Sequence, residues 1–449
     1  MFARVFLIVL VLVAVPTWSQ AVPSATGYDT NTGDDDVMQT PPPVSGEAYP
    51  AAIGPEAPSN FLRGGVVVNA AYNDNLFASA STAPISDMSY SIWPTIAINE
   101  STPRSHSILT YSPGFTIYQH TSAWNQQNQN LSFDSQYRLS PHIAMSVHEG
   151  FLKSSNILNQ SNPLSGITVS GSAQSSTVPI IAPFANQTSN IVSGGLTYQI
   201  NRDDMIGGSG MFDIIHYPNP SEATGLYNST SHGGTAFYNH RLSARQYFGT
   251  VYQFLNNLDT AVTATSPARG NSDVHSALLF YTIYLNSTLS FSVLAGPQHY
   301  NVSALPEPPS AAWTPAVKGS IGWQSRRVNI AASYSREINV GGGLLGAFNG
   351  TNASISGQWR IARTWGAGIG ANYTTTTNVS RAMSLLYPGG DFASGTVAVH
   401  HELSEHLKIE AGYTRLNQSY GYIAAISNNA NADQEYISVS YQVLRPLGR

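Results

Sequence analysis

The sequence predicts an all-β fold: a transmembrane antiparallel up-and-down β-barrel of about 18 strands, with short periplasmic turns and long extracellular loops. Three observations predict it. Charged residues make up only 10% of the 449 residues and hydrophobic residues only 42%, whereas about 25% charge is usual in soluble domains. Apolar residues alternate with small polar residues in segment after segment, as in strands with two different faces. The connections between these segments are alternately short and long.

The alternation is clear in the segment Leu131–Phe151. A short Ser-Pro-His interrupts it, which predicts two strands joined by a tight turn. Its apolar residues stand at every second position, with Ser135 as the gap: Leu131, Phe133, Tyr137 and Leu139, then Ile143, Met145 and Val147.

Similar segments follow one another almost to the end of the chain and predict eighteen strands. These are Gly64–Asp74, Met88–Glu100, Ser105–Gln119, Asn128–Leu139, Ile143–Ser154, Asn190–Ile200, Met205–Tyr217, His232–Leu242, Gln246–Leu258, Asp273–Leu285, Thr288–His299, Pro315–Gln324, Val328–Glu337, Asn352–Arg360, Trp365–Thr375, Gly395–Glu402, Leu407–Asn417 and Glu435–Leu444.

The connections indicate a membrane barrel rather than a soluble sheet. Tight connections such as Ser140–His142 alternate with long polar ones such as Ser155–Ser189 and Gln418–Gln434. Bacterial outer-membrane barrels have short periplasmic turns and longer external loops. An even number of strands leaves both termini on the periplasmic side, so the loops beginning at Asn75, Ser155 and Gln418 are expected outside the cell.

In a bilayer the apolar face of each strand is expected to contact lipid and the polar face to line the lumen. Lipid does not satisfy backbone polar groups, so the sheet must close on itself, and about 16–18 strands leave an aqueous channel. Aromatic residues near strand ends are expected to form the interfacial girdles. They are Tyr72, Tyr90, Tyr118, Tyr137, Tyr217, Trp323, Trp359, Trp365, Tyr373, Tyr413 and Tyr441.

The N-terminal region divides into two parts before the barrel, which is predicted over residues 61–449. Residues 1–21 contain Arg4, an apolar stretch from Val5 to Val15 and small residues before the expected cleavage, as in a secretory signal peptide. Residues 22–60 are rich in Pro and Asp and predict a disordered periplasmic tail. The chain has no cysteine, so an exported barrel would be held by hydrogen bonds rather than disulfides.

Three short motifs resemble a known family. "NAAYNDNLF" (Asn69–Phe77), "LTYSPGFTIYQ" (Leu109–Gln119) and the hairpin Leu131–Phe151 resemble β-barrel porins of the outer membrane, some of them linked to exopolysaccharide loci. The last strand, "EYISVSYQVL" (Glu435–Leu444), is similar to the strand by which the outer-membrane assembly machinery recognises its clients. Such proteins commonly end on an aromatic residue, whereas this chain continues through Arg445–Arg449.

No motif predicts an enzyme, a cofactor site or nucleic-acid binding. "HHELSEH" (His400–His406) is one residue too long for a His-Glu-x-x-His metal motif and falls at a predicted periplasmic turn. Gly366, Gly368 and Gly370 alternate within a predicted strand, so they are expected to be small lumen-facing residues rather than a dinucleotide loop. No basic run suited to nucleic acid occurs.

The alternation assigns a few charged residues of both signs to the lumen, among many uncharged polar ones. A wall with so little net charge favours neutral hydrophilic solutes over ions. The alternative is that these charges only keep the wall hydrated. The residues are Asp134, Arg138, Lys318, Arg360, Lys408 and Glu410.

Three functions are compatible with the sequence. The first is a passive outer-membrane pore for small hydrophilic molecules, saccharides among them. The second is a structural or accessory barrel in envelope or exopolysaccharide assembly, with Ser155–Ser189 as a plug. The third is a membrane enzyme. The expected partners are outer-membrane lipid, the solute and the assembly machinery, and the oligomeric state is left open.

Overall fold

The computed structural model describes residues 60–76, 84–154, 186–263, 269–286, 288–304, 307–325, 327–340, 342–380, 389–420 and 430–446. These residues form eighteen strands and one short 3-10 turn, Ser122–Trp124. The strands are β1 (Phe61–Asn73), β2 (Asp87–Ser101), β3 (Ser105–Tyr118), β4 (Gln126–Ser140), β5 (Ile143–Ser154), β6 (Gln187–Gln199), β7 (Asp204–His216), β8 (Tyr227–Ser243), β9 (Gln246–Ala261), β10 (Arg269–Tyr284), β11 (Leu289–Ala304), β12 (Glu307–Gln324), β13 (Val328–Val340), β14 (Ala347–Arg360), β15 (Trp365–Asn378), β16 (Gly389–Ser404), β17 (Leu407–Tyr420) and β18 (Ala430–Pro446).

Each strand pairs antiparallel with its neighbours in the chain, and the sheet closes because β1 also pairs with β18. The closing ladder runs from Phe61 opposite Pro446 to Asn73 opposite Gln434. The chain is therefore a closed eighteen-stranded antiparallel β-barrel, which confirms the predicted fold class. Within the described ranges, no helix is long and apolar enough to span a bilayer.

The strand ends at the short turns lie close to their predicted positions, but several strands are longer than predicted at the long-loop end. β8 begins at Tyr227 rather than His232, β12 at Glu307 rather than Pro315, and β18 at Ala430 rather than Glu435. The first residues of β8 are Tyr-Asn-Ser-Thr-Ser. Such polar segments lack the apolar alternation from which the strands were predicted, although their backbones continue the ladder.

The two faces of the wall differ as alternation predicts. In β15, Trp365, Ile369 and Tyr373 are 46%, 49% and 48% exposed, whereas Gly366 and Thr374 on the other face are buried. The buried face is the inner one, because side chains from strands that are not neighbours in the wall, such as β9 and β13, pack together on it. The outer face is thus a broad apolar surface.

Most of the predicted girdle aromatics lie on the outer face, but Tyr118 and Tyr217 do not. Tyr118 is 2% exposed and Tyr217 is 4% exposed. Tyr118 has the inward parity of β3, which also places Thr116 inside. Tyr217 follows the last residue of β7 and its hydroxyl lies against Gly343, inside the barrel. Proximity to a strand end therefore did not determine which face these two rings occupy.

The expectation of a polar inner face is wrong for part of the wall between β7 and β12. There, aromatic rings lie against the wall over glycines of adjacent strands: Phe237 covers Gly207 and Phe280 covers Gly249. Glycine leaves room for a ring to lie flat and the ring shields its backbone. The buried apolar cluster on this inner wall consists of Met205, Phe237, Tyr247, Val251, Leu278, Phe280, Leu294 and Ala316.

Gly249→Ala should destabilise the barrel by about 1–3 kcal/mol, because the new methyl group would overpack the wall. A Cβ at Gly249 would meet the carbonyl oxygen of Tyr238 and the ring of Phe280, whereas a Cβ at Gly370 would meet no atom within 4 Å. Gly370→Ala is thus the matched control. Urea midpoints in detergent micelles, followed by the gel-mobility difference between folded and unfolded barrel, measure the effect. Equal midpoints for the two variants would contradict the packing of Phe280 on Gly249.

Candidate functional site: the inner wall and an inward-folded hairpin

The ladder between β12 and β13 is short. It runs from Gln324 opposite Asn329 only as far as Val317 opposite Arg336. β12 itself continues to Glu307, paired with β11, and β13 continues to Val340, paired with β14. Beyond this point the two strands separate within the described part of the chain.

Prolines in β12 explain why the ladder ends there. Pro315 lies two residues beyond the last pair, and Pro308 and Pro309 follow further along the strand. Proline has no backbone N–H and is confined in sheets to edges and irregular positions. The long-loop half of β12 is therefore poorly suited to a second partner strand.

The freed end of β13 and the start of β14, residues 337–340 and 342–350, fold into the barrel as a hairpin, named here the inner hairpin. Its β14 arm stays paired with β15, from Phe348 opposite Asn378 onward. Its apolar residues are buried against the inner wall of β9, β10 and β11. The contacting set is Ile338, Val340 and Ala347 of the hairpin with Leu255, Val274, Tyr300 and Val302 of the wall.

Hydrogen bonds fix the inner hairpin to β8, β9 and β11. The Ile338 amide donates to Oε1 of Gln298 at 2.8 Å. The Tyr227 amide donates to the carbonyl oxygen of Gly343 at 3.0 Å. The Gly346 amide donates to Oδ2 of Asp259 at 3.1 Å. The hairpin therefore reaches from β13 across the inner side of β11 to β8 and β9.

Glycine makes the turn of the inner hairpin possible. Gly342, Gly343 and Gly346 have φ angles of 75°, 86° and 94°, which side chains with a Cβ rarely adopt. A Cβ on Gly343 would also collide with the hydroxyl of Tyr217. Burial raises the pKa of that hydroxyl above its usual range, so Tyr217 stays neutral beside the turn.

Asp259 holds the tip of the inner hairpin through neutral donors. Its side chain has no solvent exposure, and besides Gly346 it accepts hydrogen bonds from Nδ2 of Asn257 at 2.8 Å and Oγ of Ser229 at 3.1 Å. A buried carboxylate needs such donors to offset the loss of hydration. Asp259 was not singled out from the sequence, because its partners lie on three different segments.

Four of the six charged residues assigned to the lumen lie on the inner face, each in a close polar pair. Oδ1 of Asp134 lies 2.7 Å from Nδ1 of His148. Lys318 lies 2.8 Å from Glu337, and Lys408 lies 2.9 Å from Glu410. The partners His148 and Glu337 were missed from the sequence, although both share the inward parity of their strands.

Arg138 and Arg360 also lie on the inner side, near the short turns. Arg138 stands between the outward Tyr137 and Leu139, and Arg360 follows the outward Trp359. Both are less buried than Lys318 and Lys408. These two arginines therefore belong to the short-turn rim of the wall rather than to its middle.

The "HHELSEH" motif is divided between the two faces. The His400 ring lies inside, over Gly366, whereas His401 lies outside and stacks on Trp365 with ring centroids 4.3 Å apart. The last residues form the turn between β16 and β17. In the described ranges no three His, Cys, Asp or Glu side chains are placed to hold a metal ion.

Comparison with known proteins finds matches among solved structures only. No protein-family model matches the chain, and no curated protein matches it. Among solved structures, OpdK of Pseudomonas aeruginosa is 8% identical with a TM-score of 0.42, covering 86% of this chain and 99% of that one. OccK2 (OpdF) of Pseudomonas aeruginosa is 7% identical with a TM-score of 0.44, covering 86% and 98%.

The ferric citrate transporter FecA is 10% identical with a TM-score of 0.41, and the match covers 85% of this chain but only 64% of FecA. Likenesses of this degree assign no function to the present chain.

Lys408→Met should destabilise the barrel by about 3–5 kcal/mol, because it leaves the buried Glu410 carboxylate without its cation. The side chains of Lys408 and Glu410 are both almost fully buried, and Tyr436 donates a 3.2 Å hydrogen bond to Glu410. The double variant Lys408→Met/Glu410→Gln should recover most of the loss. Urea midpoints of the two single and the double variants measure the coupling. A single variant as stable as the wild type would mean that Glu410 is hydrated.

Proposed function

We propose that the protein is a porin-like channel of the bacterial outer membrane that passes small hydrophilic solutes passively. The observation that carries this proposal is that the outer and inner faces of a closed barrel have opposite polarity. Large apolar side chains cover the outer face, and the charged residues Lys318, Lys408 and Glu410 lie on the inner one. Only a bilayer makes such an outer face favourable, and a barrel of this strand number encloses more space than its side chains fill.

The same geometry supports the proposed location in the outer membrane. A spanning strand needs about 9–11 residues, and every strand is at least that long. We infer that residues 1–21 are a signal peptide and 22–60 a periplasmic tail, although residues 1–59 lie outside the described part of the chain. β18, which closes the barrel against β1, is the strand proposed to engage the assembly machinery.

The inner hairpin supplies the size limit of the proposed channel. It fills space on the inner side of β9–β11 at the long-loop end, so solutes must pass beside it. The alternative constriction, the loop Ser155–Ser189, lies outside the described residues over positions 155–185. Solutes admitted past the hairpin would be sorted by size and hydrogen bonding, with saccharides among the candidates.

The paired charges favour neutral solutes over ions of one sign. Lys318 and Lys408 each have a carboxylate within 3 Å. Opposite charges this close cancel at the distance of a passing ion, and screening at physiological salt limits the remainder to about 8 Å. The six proposed pore-lining residues, Asp134, Arg138, Lys318, Arg360, Lys408 and Glu410, therefore hydrate the wall without strongly selecting charge.

A plugged accessory barrel, for example in exopolysaccharide assembly, is the second candidate. The buried apolar cluster around Phe280 and Leu294 favours it, because a wall that only meets water would not carry such a cluster.

Planar-bilayer recording of the refolded protein tests the channel directly. We expect discrete conductance steps and a reversal potential near zero across a KCl gradient. Deletion of residues 342–346 should raise the single-channel conductance, because it removes the tip of the inner hairpin. A barrel that never conducts would favour the plugged alternative. Strong selectivity for one ion sign would contradict the proposed cancellation of the paired charges.

Ile369→Arg and Asn372→Arg test which face meets lipid. Ile369 is on the outer face and Asn372 on the inner face of β15. An arginine on the lipid face costs about 2–4 kcal/mol at the bilayer midplane, so Ile369→Arg should lower the free energy of unfolding in liposomes by that amount if it lies near the midplane. Asn372→Arg should change conductance with little effect on stability. Equal destabilisation would indicate a sheet packed on both faces.

A further inference from the structure

We propose that the inner hairpin is a hinged gate with two seats: the observed seat inside the barrel, and a second seat in the wall beside the free edge of β12. The inference rests on the proposed channel function, because a gate needs a flow to control. In the second seat the hairpin would leave the lumen and widen it.

The second seat is the long-loop half of β12. Residues 307–316 pair with β11 on one side, and the ladder with β13 covers only 317–324 on the other. In the described part of the chain this half of β12 has no partner on the β13 side. The sheet therefore has a free edge directly beside the strand that departs from it.

The register of β12 and β13 fits the second seat without a shift. Continued past Val317 opposite Arg336, it would place Ile338 opposite Pro315 and Val340 opposite Trp313. By alternation, Ile338 and Val340 would then face outward, as Tyr334 does in the paired part of β13. The end of β13 that leaves the wall thus has the apolar alternation of a strand within the wall.

The apolar face of the hairpin would be covered in either seat. Inside, Ile338 and Val340 pack on the inner wall. In the wall they would lie on the outer face beside Trp313, which is 70% exposed, in the lipid and its interface. Neither position leaves this face in water, so the free-energy difference between the seats is set by the polar contacts.

The polar contacts favour the inner seat. There the hairpin gains hydrogen bonds to Gln298, Tyr227 and Asp259. In the wall, Pro315 cannot donate to β13. The ion pair of Lys318 with Glu337, 2.8 Å apart, lies at the point where the strands separate. It can persist in both seats and marks the hinge.

Engineered cysteines can trap the second seat, since the chain has none of its own. Val340 is fully buried on the inner side, whereas Trp313 projects from the outer side. The wall separates them in the observed seat, so a disulfide in Trp313→Cys/Val340→Cys can form only after the hairpin has moved. Pro315→Cys/Ile338→Cys is the second pair, should the first fail to fold as judged by gel mobility.

Ser320→Cys/Ser333→Cys is the control for oxidation, because these residues face each other in the permanent ladder. The control pair should form its disulfide quickly, and the trapping pair slowly but to completion. Once trapped, the barrel should show a higher and steadier single-channel conductance, which dithiothreitol reverses.

Asp259→Ala in the trapping background should increase the rate of disulfide formation several-fold, because it removes the acceptor that holds the tip. Asn239→Ala is the matched control. Asn239 is also a buried polar residue of the inner wall, and its side chain makes no hydrogen bond to any described residue, so its loss should leave the rate unchanged.

Two results would overturn the gate in a barrel that conducts. The first is a control pair that oxidises while neither trapping pair does. The second is a trapped barrel whose conductance equals that of the reduced one. If no variant conducts, the channel function fails and the gate with it; that case is distinguishable, because disulfide formation is scored on gels without any current.

Discussion

Closure of the backbone hydrogen-bond ladder is the constraint on which the rest of the molecule depends. β1 and β18 stand at opposite ends of the described chain and complete the sheet by pairing along their whole common length. In lipid an unpaired strand edge costs several kcal/mol for each unsatisfied group. The side chains are therefore free to specialise, with large apolar groups outside and most polar groups inside, because the ladder closes around the barrel.

The one edge that remains is informative for the same reason. The long-loop half of β12 loses its second partner, and it carries three prolines, Pro308, Pro309 and Pro315. Proline at an edge removes donors that would otherwise attract another strand. The departing β13 is compensated separately, by apolar packing and hydrogen bonds inside the barrel.

Alternation in the sequence predicted the fold well, because a spanning strand with one lipid-facing side has an apolar residue at every second position. It predicted strand number, the short turns and the outward position of residues such as Ile369. The prediction failed where this alternation is absent or does not decide the face. The polar start of β8 was missed, and Tyr118 was placed on the wrong face since an aromatic ring suits either side of a strand.

The candidate site was only partly predictable. Single charges such as Lys318 and Lys408 could be assigned to the inner face by counting residues. The hairpin could not, because Ile338 and Val340 have the alternation of ordinary wall residues and their inward seat depends on Gln298 and Asp259, far away in sequence. A local pattern carries no information about a contact that the closed barrel creates across its interior.

The short ladder between β12 and β13 also has a mechanical meaning. A closed barrel under load separates along the seam with the fewest rungs, and β12–β13 has hydrogen-bonded register over only 317–324, whereas β11–β12 continues to Glu307. Tension applied along the circumference, for example from lateral pressure in a crowded membrane, would concentrate at this seam. Under such tension β12 and β13 would separate first, while the other strand pairs stay intact.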